Sequence, residues 1–245
     1  MASALDRIRI VLSHPSHPGN IGAAARAMKT MGLSRLFLVN PKLFPDPQAT
    51  ALASGAFGLL DSAVVCNTLA EALTGTVFAT AITARRRELA TEPLWAEDAA
   101  GELVQKASAG DVALVFGNET AGLSNEEVAL CQRWATIPTD PDFSSLNLGQ
   151  AVQVMSYELR RAGVAAPPPL VVAGAGLPAS HDEVEALLGH LERAAIVSGF
   201  LDPAKPRRLM HRMRRLFGRA GLEKEEVNIL RGMLAALEAP HLPKP

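Results

Sequence analysis

Short apolar, β-branched runs alternate with stretches of helical period along the first two thirds of this chain. Residues 8–12, 36–39, 77–82 and 112–116 read as buried strands, and 135–137 as a shorter one, each ending at a polar or glycine-containing turn. Between them the spacing of apolar positions predicts helices over 21–31, 95–107 and 148–161, with Gly32 as the cap that ends the first. Ser124-Asn125-Glu126-Glu127 has the form of a capping box and starts a short helix over 124–130. This alternation is the signature of an α/β fold with a mostly parallel sheet.

The pattern changes at 163–179, where Ala, Gly and Pro dominate and Pro167-Pro168-Pro169 stiffens the run; this segment reads as a linker. Ser180-His181-Asp182-Glu183 is a second capping-box signature, and a helical pattern follows to about residue 198. Further helices are predicted over 206–219 and 224–237, separated by Gly221. The expected organisation is an α/β domain over 1–162, a linker, and a small all-helical extension over 180–245.

At 245 residues and 48% hydrophobic the chain buries a full core, built from Ala, Leu, Val and Ile because aromatics make up 4%. A net charge of -1 and a pI near 6.6 give no global attraction for nucleic acid, so RNA contact requires local basic patches. Cys66 and Cys131 have neither CxxC spacing nor a disulfide framework, which fits a reducing compartment. The N-terminus lacks an apolar signal region, and no apolar run reaches the roughly 18–20 residues of a membrane span. A soluble, cytoplasmic protein is expected. His14 and His17 flank prolines without partner ligands at metal spacing, so no metal site is expected. The chain has no P-loop, no GxGxxG and no GxSxG.

Three polar segments carry the candidate chemistry. Gly19-Asn20-Ile21-Gly22, after the first strand, puts flexible backbone at a helix N-terminus, an end that can hold a phosphate; by itself a tight strand-to-helix turn is the better explanation. Arg26 follows among alanines, as a surface residue or as a charge with clearance to reach a phosphate. Gly117-Asn118-Glu119 sits at the end of a buried strand, where α/β folds bind ligands. Phe143-Ser144-Ser145-Leu146-Asn147-Leu148 opens into the helix of 148–161, aiming hydroxyls, an amide and free N–H groups outward; ordinary capping is the competing explanation.

In this order and spacing the three segments resemble the signature motifs of the SPOUT class of RNA 2'-O-ribose methyltransferases, most closely the TrmJ-type tRNA enzymes. The resemblance covers about residues 7–161. It implies a C-terminal trefoil knot in the α/β domain, which no propensity argument would propose. It also implies S-adenosyl-L-methionine as cofactor, tRNA as partner, and a homodimer whose sites are completed across the interface. By resemblance the cofactor pocket takes Ile82, Thr83, Ala84, Gly117, Ile137, Ser144, Ser145 and Leu146, and the reacting centre takes Asn20, Arg26, Glu119, Ser145 and Asn147. Asn118 departs from many TrmJ-type relatives, which carry Arg there. The expected activity is 2'-O-methylation of tRNA at the first nucleotide of the anticodon loop. A ribosomal RNA methyltransferase of the same superfamily, a non-catalytic RNA-binding module and a nucleotide-cofactor oxidoreductase are the competing readings.

Two basic stretches are candidates for RNA contact. Arg85-Arg86-Arg87 follows the strand of 77–82, as a solvated charge run or a backbone-binding patch. Arg208, Arg212, Arg215 and Arg219 fall on one stripe of the helix predicted over 206–219, beside an apolar stripe of Leu209, Met213 and Leu216. No acidic residue occurs over 205–222, so these arginines have no partner within their helix; Glu183 and Glu185 are the candidate partners elsewhere.

Overall fold

A computed structural model of the chain describes residues 3–84, 92–165, 176–205 and 207–238. The chain divides into two compact units, 1–170 and 171–245.

The first unit is built on seven parallel strands: β1 (Ile8–Ser13), β2 (Arg35–Val39), β3 (Val64–Cys66), β4 (Thr76–Ile82), β5 (Leu94–Trp95), β6 (Asp111–Phe116) and β7 (Arg133–Thr136), in the order β3-β2-β1-β6-β4-β7-β5. Alternate residues of each strand feed opposite faces of the sheet. Ile8, Ile10 and Leu12 join Leu36, Leu38 and Leu114 in one apolar layer, while Val11, Phe37, Val39, Ala113 and Val115 build the other. Burial on both faces is why these runs read as continuous apolar sequence rather than as alternation.

The first layer is covered by α1 (Pro18–Met31), α5 (Ala96–Lys106) and α7 (Leu148–Ala165); α4 (Leu69–Leu73) and α6 (Asn125–Ala129) cover the second. Two short helices, α2 (Pro47–Ala53) and α3 (Phe57–Asp61), lie beyond α1. The alanines of α1 permit close helix packing, and Gly22 demands it: a Cβ there would lie 2.1 Å from the Ala49 carbonyl oxygen of α2. Gly32 ends α1 in the left-handed region at φ 82°.

The second unit holds α8 (His181–Val197), α9 (Leu209–Ala220) and α10 (Lys224–Glu238) around Ala179, Leu187 and Val227, with Phe217, Leu230 and Leu234 packed against them. Ser180 caps α8 in the expected capping box.

Several boundaries differ from the sequence reading. The helix after β1 starts at Pro18, since a proline at the first turn lacks only an N–H that no helix uses there. β7 begins at Arg133 and ends before Ile137. α7 runs on through Ala165, so residues 163–165 of the expected linker are helical, and 166–175 lie outside the described residues. α9 starts at Leu209 rather than at Pro206, which also lies outside them. Five short elements over 47–73 and at β5 carry no sustained period and went unpredicted.

Candidate active site

Four neighbouring strands, β1, β6, β4 and β7, release their chains at the same edge of the sheet, so the loops after Ser13, Phe116, Ile82 and Thr136 meet there. The loops after Ile82, Phe116 and Thr136 enclose a cleft of about 240 Å3. All of the residues assigned to the cofactor by resemblance line it: Ile82, Thr83, Ala84, Gly117, Ile137, Ser144, Ser145 and Leu146. Glu119 lines it too, with Phe116, Thr139, Leu148 and Ala151, which the sequence reading did not single out. Thr139 Oγ1 donates to the Ser144 carbonyl at 3.3 Å and braces the loop between β7 and α7. Apolar walls from Ile82, Phe116, Ile137 and Leu146, with loop backbone between them, suit a flat heteroaromatic ligand bearing a compact polar tail.

Gly117 belongs to the cleft for a steric reason. A Cβ on it would lie 2.2 Å from the Leu123 amide nitrogen, so the turn from Asn118 to Gly122 folds back against bare backbone. Asn118 holds that turn: its Oδ1 accepts from the N–H groups of Thr120 and Ala121, and its Nδ2 donates to the His14 carbonyl at 2.7 Å. Asn118 thus ties the loop after β6 to the loop after β1, a job that its side-chain amide does directly.

Glu119 makes a second tie. One carboxylate oxygen accepts from the Ser16 N–H at 2.9 Å and the Ser16 hydroxyl at 2.8 Å; the other accepts from Asn20 Nδ2 at 2.8 Å and the His17 N–H at 3.2 Å. Burial alone would raise this carboxyl, but the Asn20 amide and the Ser16 donors outweigh it and hold Glu119 below the usual carboxylate range. Glu119 is therefore an ionised, fully engaged acceptor and a poor proton acceptor for chemistry.

The chain of bonds continues. Asn20 Oδ1 accepts from Asn147 Nδ2 at 2.9 Å, and Asn147 Oδ1 accepts from the Gly149 N–H at the start of α7 at 2.9 Å. Gln150 Oε1 accepts from the Asn147 N–H at 3.3 Å. Capping and the polar network are thus the same residue's work. A Cβ on Gly149 would lie 2.8 Å from the Ala23 Cβ, which shows how closely α7 approaches α1.

Arg26 does not line the cleft. It stands in an adjoining groove between α1 and α7 with Ala23, Thr30, Leu52, Asn147, Gln150 and Gln153. Asn147 borders this groove, and the cleft takes its immediate neighbours Leu146 and Leu148, so the two depressions share one wall. Gln150 and Gln153 sit one helical turn apart on α7, and that spacing was the signal that the sequence reading overlooked.

Of the basic candidates, Arg85, Arg86 and Arg87 lie outside the described residues. Arg208, Arg212, Arg215 and Arg219 are exposed in the second unit and form no ion pair with any described residue. The acids weighed as their partners are engaged elsewhere: Glu185 with Arg214, and Glu183 with Lys224 at 3.1 Å. Among the described residues no three His, Cys, Asp or Glu side chains gather as a metal site, and no helix is long and apolar enough to cross a membrane.

Comparison with known proteins shows the family. The model of the SpoU rRNA methylase family matches residues 7–157, and that of the tRNA methyltransferase TrmJ C-terminal domain matches residues 182–244. The tRNA (cytidine/uridine/adenosine-2'-O-)-methyltransferase TrmJ of Pseudomonas aeruginosa is 50% identical, over 94% of this chain and 93% of that protein. The tRNA (cytidine/uridine-2'-O-)-methyltransferase TrmJ of Escherichia coli K12 is 44% identical over 96% of each. The crystal structure of TrmJ from Z. mobilis superposes with a TM-score of 0.82 at 37% identity, over 94% of this chain and 99% of that one. Matched through its α/β unit by one family model and through its helical unit by the other, the chain belongs to the SpoU methylase family, in its TrmJ-type branch.

Proposed function

We propose that this protein transfers a methyl group from S-adenosyl-L-methionine to a ribose 2'-hydroxyl of tRNA, at the first nucleotide of the anticodon loop. The observation that carries the reading is the hydrogen-bonded chain Glu119–Asn20–Asn147, which joins the cleft to the Arg26 groove. The relatives named above support tRNA as the substrate, and the TrmJ-type match over 182–244 favours it over ribosomal RNA.

When bound, the cofactor supplies an electrophilic methyl on a sulfonium, so neither a metal nor a redox group is called for. Ile82, Thr83, Ala84, Gly117, Ile137 and the Ser144–Leu146 loop hold it in the cleft. A ribose hydroxyl is a weak acid, so the chain must position it and help to remove its proton. A guanidinium stays protonated in proteins, which makes it unsuited to act as base. Arg26 instead clamps a neighbouring phosphate and stabilises the developing alkoxide. Ser145, exposed on the cleft loop, or the phosphate itself relays the proton, while Asn147 orients the acceptor. Glu119 and Asn20 act through Asn147 and are positioning residues.

Two further features belong to this reading. The enzyme is a homodimer, with Arg26 serving a site completed across the interface, which agrees with its place outside the cleft. The chain after β7 forms a trefoil knot, which agrees with β7 pairing between β4 and β5, strands consecutive in sequence. The exposed arginines of α9 bind tRNA phosphates, as does the Arg85-Arg86-Arg87 run, and the enzyme works in the cytoplasm, where its substrate is.

Labelled cofactor offered with tRNA transcripts or ribosomal RNA tests the assignment. Label in tRNA supports it; label confined to ribosomal RNA replaces the substrate, and cofactor binding without transfer to either removes the enzymatic reading.

A further inference from the structure

We infer that Ser16 is a positioning residue for methyl transfer: its N–H and its hydroxyl both grip Glu119 Oε2, and so hold the carboxylate that orients the Asn20–Asn147 amide pair. The inference deepens the methyltransferase reading and rests on it.

The direction of every bond in this chain follows from its two ends. A carboxylate without a proton only accepts, so Asn20 must turn its Nδ2 to Glu119 and its Oδ1 away. At the other end the Gly149 N–H only donates, so Asn147 must turn its Oδ1 to the helix and its Nδ2 to Asn20. Both amide orientations agree, and both depend on Glu119 remaining an acceptor. Were Glu119 protonated, one of its oxygens would present a hydrogen to a donor, and the Asn20 amide would lose its reason to face that way.

Ser16 is half-buried in the loop between β1 and α1, and it supplies two of the four donors on the carboxylate. The titratable group in the same turn is His17, whose backbone N–H also faces Glu119 while its ring Nδ1 accepts from the Gly19 N–H. Across from them, on the α6 side of the loop, His14 pairs with Glu127 at 3.6 Å. Neither ring is hydrogen-bonded to Glu119, so the hydroxyl of Ser16 is the side-chain handle on its ionisation besides Asn20.

The test compares wild type, Ser16→Ala, Ser16→Thr and Ser16→Cys across pH, with saturating and limiting tRNA. Removing one hydrogen bond to the charged form raises the acid limb of kcat by about one pH unit in Ser16→Ala. The deficit in kcat against wild type stays within about twofold at pH 5.5, widens toward about tenfold only as pH falls below 4.5, and closes at pH 8, with KM for tRNA and cofactor affinity within about twofold throughout. Ser16→Thr, which keeps the hydroxyl, restores the profile, and Ser16→Cys, with its weak S–H donor, falls between. The inference is overturned if Ser16→Ala has the wild-type pH profile, or if its loss is uniform across pH and tracks a lowered Tm that Ser16→Thr does not rescue. Failure of the wild type to transfer methyl to any tRNA would instead strike the reading beneath it.

Discussion

Asn147 donates to Asn20 across 2.9 Å, although 127 positions separate them in the chain. This single bond joins the cap of α7 to the first turns of α1, and it places an amide between the cleft and the groove that holds Arg26.

Asn147→Asp keeps an oxygen to cap α7 but replaces the donor toward Asn20 with a second acceptor. Asp caps helices as well as Asn does, so Tm should change by no more than a few degrees. Methyl transfer should fall by about tenfold to a hundredfold, because two acceptors now face each other beside the reacting centre. A melting curve and a single-turnover rate on the same sample check both halves.

Glu119 links stability to pH. Its folded value lies below the ordinary 4.5, so it contributes stability that is fully present above that value and is lost as pH falls through the lower folded one. Glu119→Gln should remove this dependence and lower Tm at pH 7, while the difference from wild type narrows toward pH 3. Thermal melts from pH 3 to 7 on both proteins measure it.

Arg26→Lys retains the charge and loses the planar fork. Because Arg26 lies outside the cleft, cofactor affinity should stay within about twofold while kcat drops at least about tenfold. Near-full turnover by the lysine variant would remove the bidentate clamp from the account.

On α9, replacing Arg208, Arg212, Arg215 and Arg219 together by Gln should raise KM for tRNA and flatten its dependence on salt, by about 0.9 in log-log slope for each phosphate no longer neutralised. Cofactor affinity and kcat at saturating tRNA should hold. Since Arg214, not these four, pairs with Glu185, the helical unit should keep its stability.

Gly22→Ala drives a Cβ into the α2 backbone at Ala49, which cannot yield as a side-chain tip would. The expected cost is about 3 kcal/mol, at the upper end for overpacking, read as a fall in the denaturant midpoint.

The sequence carried the parts of this molecule that repeat a simple period. Strands such as β1 and β6 declare themselves by unbroken apolar runs, and the capping boxes at Ser124 and Ser180 are local chemistry. The first two candidate segments were legible as polar clusters after buried strands, and the third as a polar cluster that opens into α7. The Glu119–Ser16 and Asn20–Asn147 bonds were not, since they join loops about a hundred residues apart and depend on which strands are neighbours. The placement of Arg26 in a separate groove was hidden for the same reason. Residues 47–73 fold into elements too short for any period to accumulate.

The central claim is tested most directly by incubating the protein with labelled S-adenosyl-L-methionine and unmodified tRNA transcripts, then mapping 2'-O-methyl positions beside an Arg26→Ala control. The account predicts one labelled ribose, at the first nucleotide of the anticodon loop, absent in the control. Label on a base, label elsewhere in the tRNA, or label undiminished in Arg26→Ala would contradict it.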